Sequence, residues 1–105
     1  MPHAPKHLHL KTRQWWMHVA KTHKLTEAQR HLLTLAGEAW DRSTQARRIL
    51  EQDGLIFLDR FGQPRPRPEV TIEKDAKLLF ARLMRELQIG GEHLPEWFSR
   101  VKVVE

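Results

Sequence analysis

The chain contains no cysteine. That excludes disulfides, thiolate zinc sites and a cysteine nucleophile. Serine occurs only at Ser43 and Ser99, neither in a nucleophile-elbow context, which argues against a hydrolytic triad. No glycine-rich phosphate loop is present, which argues against nucleotide hydrolysis. No apolar run approaches the ~18 to 20 residues of a membrane span. The opening MPHAPKHLHLKTRQ lacks the continuous apolar stretch of a secretory signal, so a cytoplasmic protein is expected. There is no internal repeat and no low-complexity segment. The first 25 residues contain no acid at all.

That last absence points to what is there. The net charge is +5, and its excess sits at the start, in Lys6, Lys11, Arg13, Lys21 and Lys24. His3, His7, His9, His18 and His23 share the segment. Beyond residue 25 basic and acidic residues balance at 13 each. A localised basic segment is the footprint expected of a polyanion partner, DNA first among them, and equally that of a solvated arm. At 105 residues the chain makes one small domain able to bury roughly two-thirds of its unfolded surface. A composition 40% hydrophobic and 30% charged suits a helix-rich globule.

Periodicity divides the chain into three parts. Residues 1–10 hold two prolines and alternating His and Leu, and read as an extended basic N-terminal arm with a mobile tip. Residues 11–89 read as a helical core. In it, a first helix begins at Lys11 or Thr12 and ends at Thr22, with Trp15, Trp16, Val19 and Ala20 on one face. Thr26-Glu27-Ala28-Gln29 is a capping box that starts a second helix at Glu27, and Gly54 fits the position just past its end. Gly37 is its one interior glycine. Ala28, Leu32, Leu35, Ala39, Ala46, Ile49 and Leu50 form its apolar stripe, widened by Leu33, Ala36 and Trp40. Such a helix of about 27 residues spans about 40 Å, long for so small a domain and suited to contacts between subunits.

A β-hairpin follows near 55–67. Leu55 to Leu58 is a short strand, Asp59-Arg60-Phe61-Gly62 its turn, and Gln63 to Arg67 a proline-limited edge strand. Pro68 opens a third helix with Glu69 near its positive end. Ile72, Ala76, Leu79, Phe80, Leu83 and Leu87 give that helix an apolar face. Gly90-Gly91 stops the pattern, and residues 90–105 form a C-terminal tail holding Pro95, Trp97 and Phe98. The expected fold is mainly α: a helical hairpin with one long helix, a short β-hairpin and a further amphipathic helix.

The remaining side chains suggest little chemistry. His3, His7 and His9 are of metal-binding type, but a flexible arm holds ligands poorly, and neither metal nor cofactor is expected. Glu38 and Asp41 lie one turn apart, and belong to a solvated face or to i, i+4 pairs such as Glu38–Arg42. Trp15, Trp16, Trp40 and Trp97 are spaced for packing rather than base stacking. Arg60, Arg65 and Arg67 decorate the hairpin, either as phosphate contacts or as charges guarding an edge strand. His23-Lys24-Leu25 has the length of a helix-turn-helix turn, but the second helix is too long for an ordinary recognition helix.

The order of signals resembles the small subunit of tailed-phage terminases. The resemblance rests on His7-Leu8, Thr12, Trp15-Trp16, Leu25-Thr26, Leu32-Leu33, Asp41-Arg42, Ala46, Ile49 and Asp53-Gly54. It continues through Asp59-Arg60, Gly62, Pro68, Ile72-Glu73, Asp75-Ala76, Phe80 and Arg85-Glu86-Leu87. About 80 of the 105 residues are spanned. The chain departs from the family after Glu86-Leu87, where Gln88-Ile89 and Gly90-Gly91 displace the usual Gly-Leu stop. The resemblance implies a homo-oligomeric ring in the host cytoplasm. Such a ring binds double-stranded viral DNA at the packaging start site and delivers it to the large terminase subunit, which holds the ATPase and nuclease. The small subunit is not itself an enzyme.

On that reading Lys6, Lys11, Arg13, Lys21 and Lys24 contact DNA phosphates, and Arg60, Arg65 and Arg67 form a second set. Leu35, Trp40 and Phe57 lie at the subunit interface. The competing reading is a small helical adaptor that binds protein only, through Leu94 to Val104, without DNA affinity. A small metal-dependent nuclease is a third reading, disfavoured by the missing acidic metal ligands.

Overall fold

The computed structural model describes residues 3–87. Its elements run α1 (Leu10–Thr22), α2 (Glu27–Asp53), β1 (Ile56–Leu58), β2 (Pro64–Pro66) and α3 (Pro68–Leu87). Chemistry at each junction explains these bounds. Thr26 accepts the Gln29 amide at 3.1 Å, and the Gln29 side chain accepts the Thr26 N–H at 2.8 Å. This reciprocal cap satisfies two of the four amides that a helix start leaves orphaned. At the other end, Gly54 takes φ 84°, a conformation that costs residues with a Cβ, and its N–H closes on Leu50 O at 2.9 Å.

α3 packs along α2, and α1 touches α2 at Thr34 and Asp41. The three helices meet at Phe80, which is fully buried. Trp15 of α1 stands 5.7 Å from its ring and Trp40 of α2 stands 5.3 Å away, both tilted. Leu33, Ala36 and Ala39 of α2 and Leu83, Met84 and Leu87 of α3 complete the core. Tilted aromatic pairs of this kind add ~0.5–1.5 kcal/mol beyond the area they bury.

The buried line of α2 differs from the apolar stripe expected for it. Leu35 and Ile49 are exposed, whereas Ser43 is buried. Ser43 sits in the seam because it is small and its hydroxyl donates to Trp40 O at 2.7 Å, so its polar group is satisfied within the helix. On α3, Ile72 and Leu79 also turn out exposed, leaving Ala76, Phe80, Leu83 and Leu87 of the expected face inside.

The N-terminal arm differs more. Rather than extending freely, residues 3–9 fold back onto α2. Leu8 N donates to Pro5 O at 3.3 Å, and the Leu8 side chain is only 3% exposed. Of the alternating His and Leu, Leu8 is the one the core takes in. The helix consequently starts at Leu10, a residue or two early, with His9 as its cap: the Nδ1 of His9 accepts from Lys11 N at 3.3 Å.

β1 and β2 pair antiparallel, with Phe57 opposite Arg65 and the flanking pairs Ile56–Pro66 and Leu58–Pro64. Ladder bonds join Arg67 N to Leu55 O (2.9 Å) and Asp59 N to Gln63 O (3.0 Å). Bonded pairs alternate along an antiparallel ladder, so the two prolines occupy the unbonded positions, where an amide would have pointed outward from β2. Gly62, at φ 75°, ends the three-residue loop after donating to Asp59 O at 2.9 Å. Leu55, Ile56, Phe57, Leu58 and Phe61 are all exposed. The tail from Gly90, including Leu94 to Val104, lies outside the described residues.

Candidate nucleic-acid interface

Lys11, Gln14, His18 and Lys21 recur at i, i+3, i+7 and i+10 along α1, the spacing of one helical face, and all four are exposed. Thr12, Trp15, Trp16 and Val19 occupy the opposite face and are buried. The amphipathic division of α1 therefore aims its lysines at solvent. Among the described residues, none of Lys6, Lys11, Lys21 and Lys24 forms an ion pair. The first turn of α1 carries no acid. Arg13 differs from them: it is half-buried, and its Nε is enclosed with no hydrogen-bond partner among the described residues.

The hairpin arginines are placed otherwise. Arg65 Nε donates to Asp59 Oδ2 at 3.1 Å, and Arg67 Nε donates to Asp53 O at 3.3 Å. The Arg60 guanidinium lies 4.9 Å from the centre of the Phe61 ring. Arg65 thus braces the hairpin internally, and Arg67 ties it to the end of α2. The structure does not bring the two basic sets together. α1 meets α2 at Thr34 and Asp41, whereas the hairpin follows Gly54, about 20 Å further along the helix at 1.5 Å per residue.

Glu38 and Asp41 form no pair with Arg42 among the described residues. They hold the N-terminal segment instead. His7 Nε2 meets Glu38 Oε2 at 2.7 Å. Asp41 accepts the Thr12 hydroxyl at 2.6 Å and the His9 backbone N–H at 2.8 Å. Beside these contacts a cleft of about 450 Å³ opens, lined by His7, His9, Lys11, Thr12, Trp40, Asp41, Thr44, Gln45 and Arg48. Sequence reasoning reached Lys11 in this cleft but not Arg48, Thr44 or Gln45. No local signal marks them, because the cleft exists only once residues 7–9 dock on a helix some 30 positions later.

Among the described residues, Asp59 is the one titratable group displaced from its ordinary range. The Gln63 N–H, the Arg65 guanidinium and the Phe61 N–H hold its carboxyl below 3.8, against a smaller opposing effect of burial. Its role is to fix the turn. Among the described residues no group of three or more His, Cys, Asp or Glu could hold a metal ion, and no helix is long and apolar enough to cross a membrane.

Of the residues expected at a subunit interface, Leu35 and Phe57 are exposed, 48% and 38% respectively. Trp40 instead packs within the chain on Phe80. No family model, no curated protein and no solved structure matches this chain.

Proposed function

We propose that the chain is a small terminase-type subunit. It binds double-stranded viral DNA at the packaging start, assembles as a homo-oligomeric ring, and hands the DNA to a large subunit carrying the ATPase and nuclease. The observation that carries this reading is the exposed face of α1, whose lysines form no ion pair with an acid among the described residues. A cation left unpaired at the surface is available to a phosphate, and each one that engages releases counterions. The exposed apolar hairpin supports the assembly half of the reading. Leu55 to Leu58 and Phe61 present aliphatic and aromatic side chains to solvent in one short segment, as surfaces do that another subunit covers.

Two measurements on the native protein test it. Light scattering gives a mass several times that of the chain; a monomer at high concentration removes the ring. Gel shift at low salt shows duplex DNA bound, with affinity falling steeply as salt rises. Joint replacement of Lys11, Arg13, Lys21 and Lys24 by glutamine weakens that binding while the mass is kept. Unchanged binding by the fourfold variant refutes the assignment of these residues.

A further inference from the structure

We infer that the cleft between the N-terminal segment and α2 is a subsite for one DNA backbone phosphate, with Arg48 of α2 and Lys11 of α1 as its two cations. The inference rests on the DNA-binding reading above and adds to it a contact on α2, outside the basic segment.

Charge inside the cleft is the first ground. Lys11 and Arg48 both line it, and neither forms an ion pair among the described residues. The adjacent Arg47 differs sharply: it reaches Glu51 at 3.4 Å and Glu73 at 3.8 Å. The fold thus neutralises one arginine of the Arg47-Arg48 pair and leaves its neighbour facing a cavity. One carboxylate, Asp41, also lines the cleft, but its two oxygens already accept from Thr12 and from the His9 backbone. Two permanent cations against one hydrogen-bonded carboxylate leave a positive site.

Shape and donors are the second ground. The volume, about 450 Å³, lies within the roughly 300–1,000 Å³ of small-ligand sites and admits a phosphate with its sugar. An arginine fork matches two phosphate oxygens at once, and a lysine supplies a compact charge beside it. The Gln45 amide and the ring of His9 add polar lining. The amino-terminal, positive end of α1 opens beside the same cleft.

The test uses the full chain and fluorescence anisotropy with a labelled DNA duplex. Arg48→Gln weakens binding about tenfold, the loss of one charged hydrogen-bonded contact, and lowers the slope of log affinity against log salt by about 1. Lys74→Gln, which removes an exposed charge on α3, changes neither by as much. Full affinity and slope in Arg48→Gln, with the unaltered chain binding DNA, overturns the subsite and leaves the DNA reading standing. Equal losses in both variants overturn it too, by showing a general charge effect. If the unaltered chain binds no DNA, both fall. Inorganic phosphate, titrated against chloride at fixed ionic strength, shifts the NMR signals of the Trp40 indole and the Thr44 and Gln45 amides, and Arg48→Gln abolishes the shifts; signals that do not move refute the site.

Discussion

Leu8 and Gly37 lie so close that a Cβ placed on Gly37 would stand 3.2 Å from Leu8 Cδ1, and 3.1 Å from Thr12 Cγ2. The glycine inside α2 is therefore a seat for the N-terminal segment. Alanine there gains up to ~1 kcal/mol of helix propensity, while overpacking costs ~1–3 kcal/mol. Overpacking wins, because Thr12 is held by its bond to Asp41 and cannot turn its methyl aside. Gly37→Ala is expected to destabilise by about 1 kcal/mol in urea unfolding. Stabilisation by the full propensity gain would show that Leu8 yields freely.

Asp41 supplies the acceptor for the hydroxyl of Thr12, a residue only 2% exposed. Asp41→Ala leaves that hydroxyl enclosed without its partner, at a cost of about 1–3 kcal/mol. Asp41→Asn keeps an acceptor oxygen for Thr12 but not a second one for the His9 N–H, and costs less than the alanine. Denaturant midpoints of the two variants compare them, and equal losses would mean that one acceptor oxygen alone does not hold the junction.

Asp59 makes the hairpin sensitive to acid. Its folded carboxyl titrates below 3.8, the value of an unperturbed aspartate, so the unfolded chain takes up this proton first as pH falls. The stabilisation is complete above the unfolded value and is lost as pH drops through the folded one. NMR titration of the Asp59 side-chain carbon should give a midpoint below 3.8, and a midpoint at or above it would contradict the contacts described. Asp59→Asn should remove this acid dependence of the hairpin signals.

Phe57 is exposed opposite Arg65, so a charge there does not enter the core. On the proposed ring reading, Phe57→Asp is expected to leave the helical circular dichroism unchanged and to lower the mass in solution. An unchanged mass by light scattering would place the subunit contact elsewhere.

Local signals made most of the fold legible in the sequence. Thr26 with Gln29, Gly54, the Asp59–Gly62 turn and Pro68 each act within a few residues, and the elements begin and end where those residues direct. The docking of Leu8, the burial of Ser43 and the exposure of Leu35 depend on which helix lies opposite, which a pattern of apolar spacing does not encode. The candidate site divides the same way. Cations are visible in a sequence, but whether one is free is not. Arg65 and Arg67 are engaged by Asp59 and Asp53, Arg47 by two glutamates, and Arg48 is left open in a cleft built by contacts between segments about 30 residues apart.

The two prolines of β2 set a limit on how the hairpin can be used. With Pro64 and Pro66 at the outward-facing positions, that edge has no amide to offer an incoming strand. A row of hairpins adding edge to edge would stop at the first junction of this kind. The exposed apolar side chains can thus be covered by a neighbour's side chains without inviting the endless strand addition that turns sticky edges into fibres.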